Sequence, residues 1–357
     1  MSVFNADNTG HLSKKYPLFL GEDLGLFDTI NVVYPEIEQL YQQQLAQIWN
    51  EFEVDLTQDR MDMMRLDPQV VDLMIKTISW QHLADSVACK SIAGLLLPFS
   101  TNSELEGMLT IQSFFEIIHS RTYSHIVKQT FTDPNEMLER TYKDVQVLAR
   151  SGAIVRAFEE LEKMPENASI EEKRRTLIKV MAALFALEGI AFMASFAVTF
   201  AIVETDAFQG IGALVALICR DEVLHTRMDY TIIDILLREE EWRTALAEVK
   251  DEVLDILNCV VEQELAWADH LFSDGRQVIG LNAELLKEYV MYMAKPIYTA
   301  LGAELAGNVP AKNPLPYMNK YIDPSQMQSA AQEIQITSYQ IGAIKDDTSD
   351  LDLDLEF

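Results

Sequence analysis

Two short stretches repeat one arrangement. In SFFEIIHSRTYSHI, residues 113–126, Glu116 and His119 stand three apart, and in LICRDEVLHTRM, residues 217–228, Glu222 and His225 do the same. Residues three apart on an α-helix share a face and lie about 4.5 Å apart along its axis. A carboxylate oxygen and an imidazole nitrogen so placed converge on one ion. A single Glu-x-x-His is common by chance, and most such pairs are surface pairs. Here both are flanked by Ile, Phe, Leu and Val, which places them on buried helix faces. Two Glu-x-x-His helices match the bundle-core dimetal pattern, in which two further helices each give one more carboxylate.

The two missing carboxylates are Glu188 and Asp85. Glu188 is the only charge in MAALFALEGIAFMASFAVTFAIV, residues 181–203, and no cation on its helix face offers a salt bridge. A carboxylate so buried needs a compensating partner. Asp85, in SWQHLADSVACKS, lies in the helix before the first pair. Alone it would be an ordinary, partly exposed Asp; the set of four carboxylates singles it out. Their four negative charges match two divalent cations. Oxygen-rich ligation with one imidazole per metal suits iron or manganese better than zinc or copper, and imidazole is a poor ligand for magnesium or calcium. His82 and His125 are read as core or surface residues, and His11 and His270 have no ligand pattern around them.

Tyr123 falls four after His119 and seven after Glu116, on the same helical face. A buried Tyr usually packs and makes one hydrogen bond. Beside an oxygen-activating metal pair a phenol can instead be oxidised and hold a radical. Phe192 and Phe196, four and eight after Glu188, and Ile218, four before Glu222, would then wall it off, a role compatible with plain core packing.

These residues require long helices. Apolar residues recur at helical spacing over roughly 35–49, 68–96, 102–130, 134–151, 170–204, 208–237, 240–272 and 282–303. Tyr34-Pro35, Asp67-Pro68 and Asp133-Pro134 mark helix starts. Thr101 with Glu104, and Ser169 with Glu172, read as capping boxes. Pro296 should end or kink the last helix. Strand signals are thin, so the chain is read as all-α. Residues 181–203 are long enough to cross a bilayer, and one central carboxylate, costing about 3 kcal/mol, does not forbid it. No other stretch resembles a span, and a helix apolar on every side also suits the centre of a soluble bundle.

Composition narrows the function. Lys and Arg number 28 against 56 Asp and Glu, a formal charge of −28 that repels phosphate backbones and argues against nucleic acid as a partner. Three widely spaced cysteines, Cys89, Cys219 and Cys259, give neither a disulfide framework nor a zinc-thiolate site, and fit a reducing cytoplasm. The N-terminal residues lack an apolar run of signal-peptide length. No phosphate-binding glycine motif is present. After Pro310 the composition changes, and six of the last twelve residues are acidic, alternating with Leu351, Leu353 and Leu355 before Phe357. Such a stretch cannot bury enough surface to order itself. Its apolar residues are read as docking into a partner's groove.

The chain resembles the small, radical-generating subunit of class I ribonucleotide reductase. The match runs from WNEFEVDLTQDR at 49–60 to the acidic tail, with LADSV, FFEIIHSRTYSHI, ALEGIAFMASFA and CRDEVLH where that family places its ligand segments. The one-Asp, three-Glu carboxylate set is the family's, whereas acyl-carrier-protein desaturases and many other ferritin-like oxidases use four Glu. The resemblance implies a ferritin-like bundle with additional helices over residues 1–325 and a flexible acidic tail, 326–357, that docks a large catalytic subunit. It implies a homodimer with a dinuclear metal centre, two irons first, two manganese ions or one of each as alternatives. The implied activity is that of ribonucleoside-diphosphate reductase: dioxygen at the metals yields a stable Tyr123 radical, which the large subunit uses to reduce ribonucleotides to deoxyribonucleotides. Trp49 is similar to the family's electron-relay tryptophan, Asp221 to the residue bridging it toward His119, and Tyr339 to the tyrosine that hands the radical over. Another ferritin-like dimetal oxidase, or an iron-storage bundle, is the rival reading; neither needs Trp49, Tyr123, Asp221 and Tyr339 together.

Overall fold

The computed structural model describes residues 4–323. Tyr339 and the acidic tail lie outside the described residues. Eight long helices carry the fold: α1 (Pro35–Ala46), α2 (Pro68–Ser91), α3 (Ser103–Thr130), α4 (Ile170–Ala186), α5 (Met193–Val203), α6 (Gln209–Leu236), α7 (Lys250–Leu271) and α8 (Ala283–Ala300). Among the described residues, β-pairing is limited to the isolated bridges Phe19–Ser100 and Val278–Leu281. The fold is all-α, as the spacing predicts.

A bundle encloses the site. Helix α3 packs between α1 and α2, α6 lies against α1, α3 and α5, and α7 pairs with α8 on the far side of α4. The apolar run predicted over 170–204 is one continuous rod, Ile170–Val203, and its most apolar stretch is wholly buried. Leu177, Ile178, Phe192, Phe196 and Phe200 fill the centre from it. Burial on every side explains why it shows no polar face: it is a core helix, and the charge at Glu188 faces protein.

The helices start where the sequence places them; side chains cap three of these starts, whereas at α1 Tyr34 makes no side-chain cap and Pro35 alone opens the helix. Asp67 accepts from Gln69 N–H, Asp133 from Asn135 and Glu136 N–H, and Ser169 from Glu172 N–H. At α3 the capping box expected from Thr101 and Glu104 does not form. Asn102 caps instead, accepting from Leu105 N–H at 2.9 Å. Thr101 donates to the Pro17 carbonyl and Glu104 accepts from Val33 N–H, so both tie down the N-terminal segment. Pro296 does not end α8, which continues to Ala300. The turn beyond it is held by tertiary contacts: Ile297 and Tyr298 are buried, and the Tyr298 hydroxyl donates to Asn258.

Between α4 and α5 the rod is locally widened into a π-helical turn, Leu187–Phe192, which contains Glu188. Such turns re-aim side chains and concentrate at functional sites. The start of α6 is set from a distance. Asp59 and Asp62, on a short helix Thr57–Arg65, accept from Ile211 and Phe208 N–H at 2.8 and 3.0 Å. Only glycine fits at 210, where a Cβ would meet Asp59 at 2.3 Å.

Candidate metal centre

Asp85 from α2, Glu116 and His119 from α3, Glu188 from the π turn, and Glu222 and His225 from α6 meet at the bundle centre, all completely buried. They form two overlapping groups. Asp85, Glu116, His119 and Glu222 make one, and Glu116, Glu188, Glu222 and His225 the other; in each, the ligand atoms lie within 4.8 Å of one another. Glu116 and Glu222 belong to both. His119 Nδ1 is 3.0 Å from Glu222 Oε1 and 3.7 Å from Glu116 Oε2. His225 Nδ1 is 3.0 Å from Glu116 Oε1 and 3.0 Å from Glu222 Oε2. Two metal ions would find Asp85 and His119 on one side of the cluster and Glu188 and His225 on the other, with Glu116 and Glu222 shared by both groups.

The polar atoms of this cluster ask for cations. Both oxygens of Asp85, Glu116 and Glu188, with Glu222 Oε1 and His119 Nδ1, are buried without a hydrogen-bond partner. Orphaned carboxylates on this scale cost several kcal/mol each by desolvation. Among the described residues Glu188 has no Lys or Arg partner, which removes the salt-bridge explanation. Burial, and then Glu116, push the Asp85 carboxyl well up; burial, and then Glu222, do so for Glu188. Burial works against the charged imidazole of His225, yet Glu222 and Glu116 push it up to about 10. Burial also opposes the Glu222 charge, but His225 and His119 hold that carboxyl below its usual range. Protons here balance charge that two divalent metals would balance better. Four carboxylates and two imidazoles fit iron or manganese.

The family profile described as "Ribonucleotide reductase, small chain" matches residues 26–314. The chain belongs to the ribonucleotide reductase small-chain family. It is 31% identical over 359 residues to the ribonucleoside-diphosphate reductase 1 subunit beta of Escherichia coli O157:H7, covering 94% of this chain and 95% of that protein. The subunit beta of Haemophilus influenzae is 30% identical over 360 residues, with 95% of each chain covered. Among solved structures, the R2 subunit from Clostridium botulinum aligns with a TM-score of 0.81 at 22% identity, over 90% of this chain and 98% of that one. The dimanganese(II)-NrdF of Streptococcus sanguinis aligns at 0.66 and 20% identity, over 83% and 98%. The ferritin-like fold expected of a small chain is present.

Tyr123, Phe192, Phe196, Ile218, Asp221 and Trp49 are all buried in the core that holds the cluster, while Tyr339 lies outside the described residues. Tyr123, one turn beyond His119 on α3, is completely buried, and its hydroxyl has no partner. Burial first, then the Asp85 charge, hold its phenol well above the ordinary range, so it stays protonated. Phe192, Phe196 and Ile218 are completely buried in the same core, and the two Phe rings stack at 5.8 Å. Trp49 Nε1–H donates to Asp221 Oδ2 at 2.6 Å, and that oxygen is 3.2 Å from His119 Nε2. The indole and imidazole rings stack, 6.1 Å between centroids.

His82 and His125 stand outside the cluster, as expected: His82 hydrogen-bonds Ser124, and His125 meets the Phe52 ring edge-on at 5.1 Å. Two features escaped the sequence analysis. The π turn leaves no apolar-period signature within an all-apolar run. Asp229, a buried acid four residues after His225, was not singled out, although its place on the ligand face of an apolar helix is visible in MDYTIID.

Proposed function

We propose that this chain is the radical-generating small subunit of a ribonucleoside-diphosphate reductase, working with a separate large subunit that reduces the nucleotide. The observation that carries the reading is the convergence of six buried residues of ligand type, with both oxygens of Asp85, Glu116 and Glu188 lacking a hydrogen-bond partner, beside a buried and unpartnered Tyr123. The metal pair, reduced and exposed to dioxygen, supplies the oxidising equivalent. Tyr123 gives up an electron and its hydroxyl proton, and the enclosing Phe192, Phe196 and Ile218 keep water and reductants from the resulting radical. The hydrogen-bonded line His119–Asp221–Trp49 leads from the centre toward the protein surface, and Tyr339 in the tail continues it to the large subunit. Asp221 accepts from both neighbours and holds the two rings in register.

The finer assignments belong to the same reading. The metal pair is read first as two irons; a manganese pair or a mixed pair fits the same oxygen-rich ligands. The acidic tail, 326–357, beyond a helical domain spanning 1–325, docks the large subunit. The homodimer draws support from Phe114 and Ile117, half-exposed and one turn apart on the outer face of α3. Burial of the 181–203 run and three free thiols support a soluble protein of the cytoplasm, with neither membrane nor nucleic acid as partner.

Tyr123→Phe tests the reading. Side-chain volume hardly changes and no hydrogen bond is lost, so fold and metal binding should persist. Reconstituted in air with iron, or with manganese, the variant should bind two metals yet show no tyrosyl signal by electron paramagnetic resonance and no nucleotide reduction with the large subunit. Full activity at native metal content would move the oxidising equivalent from Tyr123 to the metals.

A further inference from the structure

The two imidazoles of the centre differ in what stands behind them. His119 turns Nδ1 to the carboxylates and sets Nε2 against Asp221 at 3.2 Å. His225 also turns Nδ1 inward, but its Nε2 is buried without a partner. One turn further along α6, Asp229 is completely buried, and neither of its oxygens has a partner. An unpaired donor and an unpaired acceptor each carry a desolvation cost, and here they are complementary. Helical side chains lean toward the N-terminus, so residue i+4 covers the turn that holds residue i. Asp229 therefore lies one turn from His225 on the same helix, and no direct hydrogen bond joins the two. Burial pushes the Asp229 carboxyl well up, and His225 is the neighbour that draws it back.

We propose that Asp229 is the positioning partner of His225: its carboxylate accepts the Nε2–H, directly or through one water, and so keeps Nδ1 unprotonated and aimed between Glu116 and Glu222. This rests on the two-metal reading of the site. A metal-bound imidazole needs its other nitrogen to carry the proton, and a carboxylate there fixes both tautomer and ring angle. The proposed arrangement parallels that of His119 and Asp221, which stand 3.2 Å apart on the opposite side of the cluster. Asp221 also holds Trp49, whereas Asp229 is proposed to serve the metal ligand alone.

The test is anaerobic titration of Mn(II) into full-length apo-protein, with free Mn(II) read by electron paramagnetic resonance. Wild type should show two sites. Asp229→Val removes the acceptor and should weaken one site about 10–100-fold while sparing the other. Asp229→Asn keeps a carbonyl acceptor and should stay within a few-fold of wild type. Asp229→Thr, isosteric with Val but bearing a hydroxyl, should fall between them, which separates loss of the bond from loss of shape. Wild-type affinity at both sites in the Val variant overturns the role of Asp229. If the Val variant does not fold, wild-type affinity at both sites in the Thr variant overturns it equally. Failure of the wild type to bind two manganese ions would instead overturn the two-metal reading, and this proposal with it.

Discussion

Trp49 and His119 address the same oxygen of Asp221, so one carboxylate both fixes a metal ligand and couples it to an indole. Trp49→Phe removes the indole N–H at little change in packing. The expected outcome is a protein that still binds two metals but supports no nucleotide reduction with the large subunit; undiminished turnover would show that the path runs elsewhere. The His225 proton makes a second prediction at this scale. Its folded pKa, about 10, lies above the ordinary value of roughly 6.5. A raised imidazole pKa adds stability that is complete below about 6.5 and is lost as pH rises toward 10. The depressed Glu222 carboxyl acts oppositely, adding stability above its ordinary range that is lost on acidification. Apo-protein should therefore show a falling melting temperature from pH 6.5 to 10, and loaded protein a flatter profile, because metal has displaced the proton. Loading should release protons, measurable by calorimetry in buffers of different ionisation enthalpy, and a metal affinity independent of pH would contradict this.

At the scale of elements, the π turn is the part that needs bracing. Arg150 supplies the brace: its guanidinium donates to the Ala191 carbonyl in the turn and to Ser195 just beyond it. It is paired bidentately with Glu264 of α7 and lies 3.6 Å over the Trp80 ring of α2. Glu264→Gln leaves this buried charge unpaired and should cost about 3–5 kcal/mol, read by chemical denaturation; a loss under 1 kcal/mol would mean that the brace is not under load. The sequence announced the helices because caps and apolar spacing are local. It marked the six residues that meet at the bundle centre because each is polar within an apolar face. Asn102 displacing Thr101 as the cap of α3 was not legible, since Thr101 is drawn off by a partner far away in the chain; α8 running on past Pro296 was within the apolar spacing over 282–303. The π turn was invisible for a different reason: an extra residue in a rod buried on every side shifts no polar boundary.

For the whole molecule, the net charge of −28 is carried in part by the last twelve residues, six of which are acidic. Removing the last twelve residues should leave fold and metal content intact and abolish large-subunit binding, measured by sedimentation or surface binding. Added salt should weaken the native complex only in part, because Leu351, Leu353, Leu355 and Phe357 contribute apolar burial that is not screened. Native affinity after truncation would assign docking to another surface.

The rod Ile170–Val203 has a consequence for how the chain is made. Its central stretch is as apolar as a membrane anchor, and the helices that cover it come from both sides of it in sequence: α2 before, α6, α7 and α8 after. During synthesis the rod leaves the ribosome well before residue 300 completes its cover. For that interval a nascent chain presents a greasy segment with one acid, Glu188, as its only charged residue between 181 and 203. The carboxylate proposed to bind metal is thus also the one charge within 181–203 that, early in the life of the chain, discourages misdelivery to the lipid bilayer.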